Sequence, residues 1–155
     1  MSSKKTEGGQ STISLVPPGS VPDNKLHEQV YKCIHFNDVM GLKALLSEEP
    51  PLNVLEIRDV RRFTVLAFCC YKNSEECFMI LYNHALDNNL EEGKFEQKKQ
   101  ILSQWANSPT DEEFTALHFA TYHGNYTLIK FLIDNASADI TKRNKFGSTV
   151  MHIAA

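Results

Sequence analysis

From Asn24 onward, apolar residues return at a helical period. Leu26, Val30, Cys33 and Ile34 stand at i, i+4, i+7 and i+8, so a helix gathers them on one face. Val39, Leu42, Leu45 and Leu46 make a second, shorter stripe, which Pro50-Pro51 ends. Asn37-Asp38 joins the two, and the pattern predicts a helix–turn–helix hairpin. Ahead of it, residues 1–23 are polar and hold Pro17, Pro18 and Pro22, which predicts a disordered leader.

The pairing recurs. Thr115-Ala116-Leu117-His118-Phe119-Ala120 is echoed 34 positions later by Thr149-Val150-Met151-His152-Ile153-Ala154. Thr64-Val65-Leu66-Ala67-Phe68-Cys69-Cys70 has the same shape 51 positions before the Thr115 copy. That spacing exceeds a repeat of about 33 residues by roughly 18. Nine residues after each Thr the copies stay in step, with Asn73-Ser74 matching Gly124-Asn125.

This repeat resembles the ankyrin unit, D-x-x-G-x-T-P-L-H-x-A-A-x-x-G followed by an apolar second helix. The resemblance implies an all-α fold: an ankyrin-repeat α-solenoid of helix–turn–helix units with short hairpin loops and one helical insertion. The ankyrin-repeat domain would span 24–155, with units at about 24–57, 58–88 and 108–143, and an incomplete fourth at 144–155. It also implies structural roles for Thr64, Thr115, His118, Gly124, Gly147, Thr149 and His152. The threonines would cap first helices, and the histidines would bond the Thr and neighbouring loops. Gly124 would supply a turn with positive φ. Cys69-Cys70 and Ala120-Thr121 would fill the small-residue pair between units. Leu128, Ile129, Phe131, Leu132 and Ile133 would face the following unit.

Departures carry expectations of their own. The motif histidine is Ala67 in unit two and Tyr31 in unit one. The loop glycine is Arg62 and Glu113 in units two and three, which predicts loops less regular than the consensus. The surplus falls at about 89–107. There Phe95, Ile101, Leu102 and Trp105 lie near one helical face, so an extra amphipathic helix is expected, with Trp105 as its core anchor.

Composition narrows the class. Hydrophobic residues make up 42% and charged residues 23%, with 16 basic and 19 acidic residues for a net charge of −3. No bulk positive field points to nucleic acid, and no apolar run approaches the 18 or so residues of a membrane span. The N-terminus has no secretory apolar core, and Cys33, Cys69, Cys70 and Cys77 form no Cys-x-x-Cys pair. Reduced thiols in a cytoplasmic protein are expected, or one at the cytosolic face of a membrane.

Candidate chemistry is thin. His118 and His152 are absorbed by the repeat, and Cys69 and Cys70 by close packing. His27, His35, His84 and His123 show no ligand spacing. The acidic pairs, Glu48-Glu49, Glu75-Glu76 and Glu91-Glu92, suit solvated helix starts. No catalytic residue, metal or cofactor is expected. Contact surface is better marked. Arg58, Arg61 and Arg62 crowd one loop, while Asp111, Glu112 and Glu113 fill the next. By resemblance, Tyr71, Lys72, Tyr122 and His123 face the concave groove. With Lys145, the residues Arg61, Arg62, Tyr71, Lys72, Asp111, Glu112, Tyr122 and His123 form the expected partner-binding set. The expected function is a monomeric interaction module or scaffold for a protein partner, without nucleic acid or membrane insertion. Because the fourth unit stops inside its first helix, a longer natural protein is also expected. It would be a membrane enzyme of the zinc-finger palmitoyltransferase kind or an ion channel, with this stretch as its N-terminal regulatory region.

Overall fold

The computed structural model describes residues 20–154, with side chains from Lys25 onward. Eight α-helices and no strand occur among them. Helix α1 is Ser20–His35, α2 Val39–Leu46, α3 Val65–Tyr71 and α4 Glu75–His84. Then come α5 Phe95–Ala106, α6 Ala116–His123, α7 Tyr126–Ala136 and α8 Val150–Ala154. A 3₁₀ turn occupies Val54–Glu56, and a π-helical turn, Ala85–Asn89, continues α4. The expected leader lies outside the described residues up to position 19. Its last residues instead belong to α1, which starts at Ser20 rather than Asn24. Pro22 falls in the first turn, where its missing N–H removes no helical bond.

The helices form two layers. First helices α1, α3, α6 and α8 pack in series, each on the next. Second helices α2 and α4 pack side by side behind them, and α5 lies against α7. Each unit contributes its own buried residues, so the core is a row: Val30, Ile34 and Leu42, then Leu66, Phe78 and Leu81, then Leu117, Leu128 and Leu132. Cys69, Cys70 and Ala120 are fully buried where first helices approach, as small side chains must be. The turn between paired helices repeats as well. Asn37, Asn73 and Gly124 take φ of 52°, 56° and 66° at one register position. The caps Asp38 and Asn125 follow two of them, each accepting a bond from the N–H three residues on.

Two sequence expectations need correction. Phe131 faces the preceding unit, with its ring edge-on to Phe78 at 5.6 Å and Tyr82 at 4.8 Å, and Ile133 stays partly exposed. In the insertion, Leu102, Trp105 and Ala106 are buried, but Phe95 is 72% exposed and Ile101 is also exposed. Phe95 opens the helix, a full turn and more before the residues that reach the core. Trp105 does anchor α5, stacking on Tyr82 at 6.2 Å.

Asparagines hold this insertion at both ends. Asn89 accepts from Val54 N–H at 3.1 Å and donates to Leu52 O at 3.2 Å. Asn107 does the same one unit along, accepting from Asp139 N–H at 2.7 Å and donating to Ser137 O at 3.2 Å. The first clamps unit two to unit one, and the second clamps it to unit three.

Candidate interaction surface

The loop tips follow one geometry. In each, the first residue's carbonyl accepts from the N–H three residues on: Arg62 to Asp59, Glu113 to Thr110 and Gly147 to Asn144. Its N–H donates four residues on, to Phe63, Phe114 and Ser148. Arg62 and Glu113 adopt φ of 65° and 66° beside 80° at Gly147. The expectation of irregular loops is therefore wrong. The side chain of the first residue braces each turn, with or without the glycine. Asp59 Oδ1 accepts from Arg61 and Phe63 N–H groups, Asn144 Oδ1 from Phe146 and Ser148, and Thr110 Oγ1 from Phe114. These bonds hold the turn in all three loops, whether glycine or another residue carries the left-handed backbone. Neighbouring tips also bond directly, Asp111 N–H to Arg61 O at 3.0 Å and Lys145 N–H to Glu112 O at 2.8 Å.

Behind the tips, the motif residues tie units together. Thr64 caps α3, accepting from Ala67 N–H. His118 Nδ1 accepts from Thr115 N–H at 3.0 Å, and the Thr115 hydroxyl lies 2.9 Å from the same nitrogen. Nε2 therefore carries the proton and donates to Lys142 O and Ser148 O in the fourth unit's loop. His152 repeats the contact with Thr149. Burial holds the His118 pKa below the ordinary 6.5, and the two carbonyls oppose that shift in part. Tyr31 replaces this tie in unit one. Its hydroxyl donates to Phe63 O at 2.5 Å, the carbonyl just before Thr64, as Ser148 O stands just before Thr149. Ala67 has no polar atom for the same reach in unit two.

A row of aromatic rings runs beside the first helices and the loop tips. Rings touch in series from Tyr31 to Phe68, Phe63, Phe119, Phe114 and Phe146, with centroid separations of 5.1, 5.8, 5.5, 5.3 and 6.4 Å. Tyr71 joins at 5.3 Å from Phe119. Sequence reasoning missed this ladder, although the signal was there. Phe63 and Phe114 precede the threonines, Phe68 and Phe119 stand four residues after them, and Tyr71 and Tyr122 seven after.

Two adjacent openings lie along its middle, beyond a larger one of about 850 Å3 at the α1 end lined by Tyr31, Phe68, Arg58 and Asp59. One, of about 250 Å3, sits between the tips of units two and three and is lined by Arg61, Tyr71, Asp111 and Glu112 over Phe63, Phe114 and Phe119. The other, of about 600 Å3, is lined by Tyr71, Lys72, Tyr122 and His123 with Phe114, Phe119 and Ile153. The structure thus brings seven of the nine expected contact residues to two adjacent openings. Arg62 and Lys145 lie exposed on tips outside both. Some of the charge is spent internally. Arg61 pairs with Glu112 at 3.8 Å, Arg58 donates to Leu55 O and Ile57 O, and His123 Nε2 bonds Tyr71 O at 2.8 Å. Tyr71 is 45% exposed and Tyr122 76%.

Burial pushes the thiols of Cys69 and Cys70 up, away from the reactive thiolate. All four cysteines are free, and no group of three or more metal-binding side chains occurs among the described residues.

Comparison with known proteins agrees with this geometry. The family model of ankyrin repeats, in three copies, matches residues 90–155. No curated protein matches the chain. Among solved structures, the chain is similar to one in the crystal structure of the yeast ribosomal protein Rps3 in complex with its chaperone Yar1. The TM-score is 0.70 at 20% identity, over 84% of this chain and 83% of that one.

Proposed function

We propose that this chain of ankyrin repeats is a protein-binding module that takes its partner along the aromatic concave face and the loop tips. The observation that carries the reading is the ring ladder from Tyr31 to Phe146, with Tyr71 and Tyr122 left exposed beside it. Aromatic side chains supply large contact area at small entropic cost, and tyrosine is enriched among binding anchors. The similar structure is of a chaperone with its ribosomal protein, which supports protein binding as the use of such a face. Charged residues at the tips, Arg62, Lys145 and the Asp111–Glu113 run, would steer encounter and set specificity.

The contact set is Arg61, Arg62, Tyr71, Lys72, Asp111, Glu112, Tyr122, His123 and Lys145. The role needs no cofactor. Four free thiols suit a cytoplasmic setting. No helix among the described residues is long and apolar enough to cross a membrane, and nothing in the fold favours the regulatory-region reading over the module.

The test compares affinity capture by the wild-type chain and by Tyr71→Ala/Tyr122→Ala, both shown by circular dichroism to be equally helical. Loss of the captured proteins from the double variant supports the concave face. An unchanged set of captured proteins refutes it.

A further inference from the structure

The smaller opening has a chemistry of its own. Its volume, about 250 Å3, suits one long side chain rather than a helix. Phe119 stacks on Phe63 at 5.5 Å and on Phe114 at 5.3 Å, and Tyr71 stands edge-on to it at 5.3 Å, so the walls are ring faces and edges. The lip is acidic. Asp111 lends its backbone N–H to Arg61 O, but its carboxylate has no hydrogen bond or ion pair among the described residues. Glu112 has a 3.8 Å pair with Arg61 in which both side chains stay largely open to solvent. The Arg61 guanidinium also lies 5.8 Å from the Phe63 ring centre. The chain's own arginine therefore already sits at this opening against one ring and one carboxylate. The larger groove beside it has no carboxylate in its lining.

We propose that the opening between the tips of units two and three receives an arginine side chain from a basic segment of the partner protein, and that Arg61 is the group it displaces. This rests on the binding reading above and adds the chemistry of the partner. A planar guanidinium stacks on aromatic faces and meets carboxylates two-handed, which an ammonium does not. Asp111 and Glu112 would take its N–H groups, while Tyr71 and the Phe63 ring that Arg61 vacates would hold its plane.

The experiment is an anisotropy titration of the full chain with fluorescein-labelled peptides of alternating glycine and arginine, with lysine and glutamate versions beside it. The arginine peptide is expected to bind at least about fivefold tighter than the lysine one, with the glutamate one weakest. Asp111→Asn/Glu112→Gln should weaken it about tenfold, with melting unchanged. Arg61→Gln should tighten it. Glu91→Gln/Glu92→Gln, which removes as much charge from the insertion loop, should change nothing. Equal binding by Asp111→Asn/Glu112→Gln, weaker binding by Arg61→Gln, or preference for the glutamate peptide or a single-stranded RNA probe overturns the assignment. If that happens while Tyr71→Ala/Tyr122→Ala still loses captured proteins, the concave-face reading stands and only the arginine site falls.

Discussion

His118 joins a helix start to the next unit's loop through both ring nitrogens. Truncating it leaves Thr115 N–H and Lys142 O without their partner, while Ser148 O keeps the Asn144 N–H. His118→Ala should therefore lower stability by roughly 1–3 kcal/mol in denaturant titration; an unchanged midpoint would remove the tie from the account. The same residue sets a pH dependence. Its folded pKa lies below the ordinary 6.5, so the unfolded chain takes up a proton first as pH falls. The stabilisation is whole above about pH 6.5 and drains away below it. The melting temperature should drop between about pH 7.5 and about pH 5.5, and drop less in His118→Gln. Arg62 and Glu113 work in the opposite sense, holding left-handed backbone at a cost of about 1–2 kcal/mol each. Glycine removes that strain but costs roughly 0.5–1 kcal/mol in backbone entropy. Arg62→Gly and Glu113→Gly should each raise stability by a few tenths to about 1 kcal/mol, measured by thermal melting. The repeat made His118 and Gly124 readable from the sequence. Tyr31 was read only as a missing histidine, because nothing local shows that a longer side chain from α1 reaches the same carbonyl.

At the level of elements, the insertion is the informative case. Its 18-residue surplus was plain in the spacing of the threonines, and α5 was legible from Leu102 and Trp105. What the sequence did not display is how an extra helix leaves the stacking of units intact. Asn89 and Asn107 stand that same surplus apart and make matching pairs of bonds to the two flanking units. Unit two thus keeps one clamp for each neighbour, with α5 spliced between them. Asn89→Ala and Asn107→Ala should each cost about 1–3 kcal/mol, since each strands a backbone N–H of the adjoining unit. Trp105 fluorescence offers a local reading, because its ring stacks on Tyr82. Asn107→Ala is expected to shift that emission more than Asn89→Ala, and the reverse order would count against the clamp assignment. Helical periodicity overreached at Phe95, since a stripe on one face does not say how far along the helix the core extends.

Across the whole molecule, stability is passed between neighbours and thins toward an end. Helix α8 buries Val150 but leaves Met151, His152 and Ala154 exposed. Amide hydrogens at Met151–Ala154 should exchange fast while those of α3 and α4 stay protected, and strong protection in α8 would contradict nearest-neighbour coupling. The proposed binding face is also a property of the whole array. Phe63, Phe114, Tyr71 and Tyr122 recur in register, yet each reads as an ordinary core or surface residue until the units are laid side by side. The junctions, however, are not alike. Unit one is tied to unit two by the Tyr31 hydroxyl, whose pKa burial raises further from neutrality, whereas unit three is tied to the loop of unit four by an imidazole whose pKa is lowered. Of these two contacts, acid acts on the imidazole and not on the phenol. Mild acidification should therefore loosen the junction between unit three and the α8 end of the array.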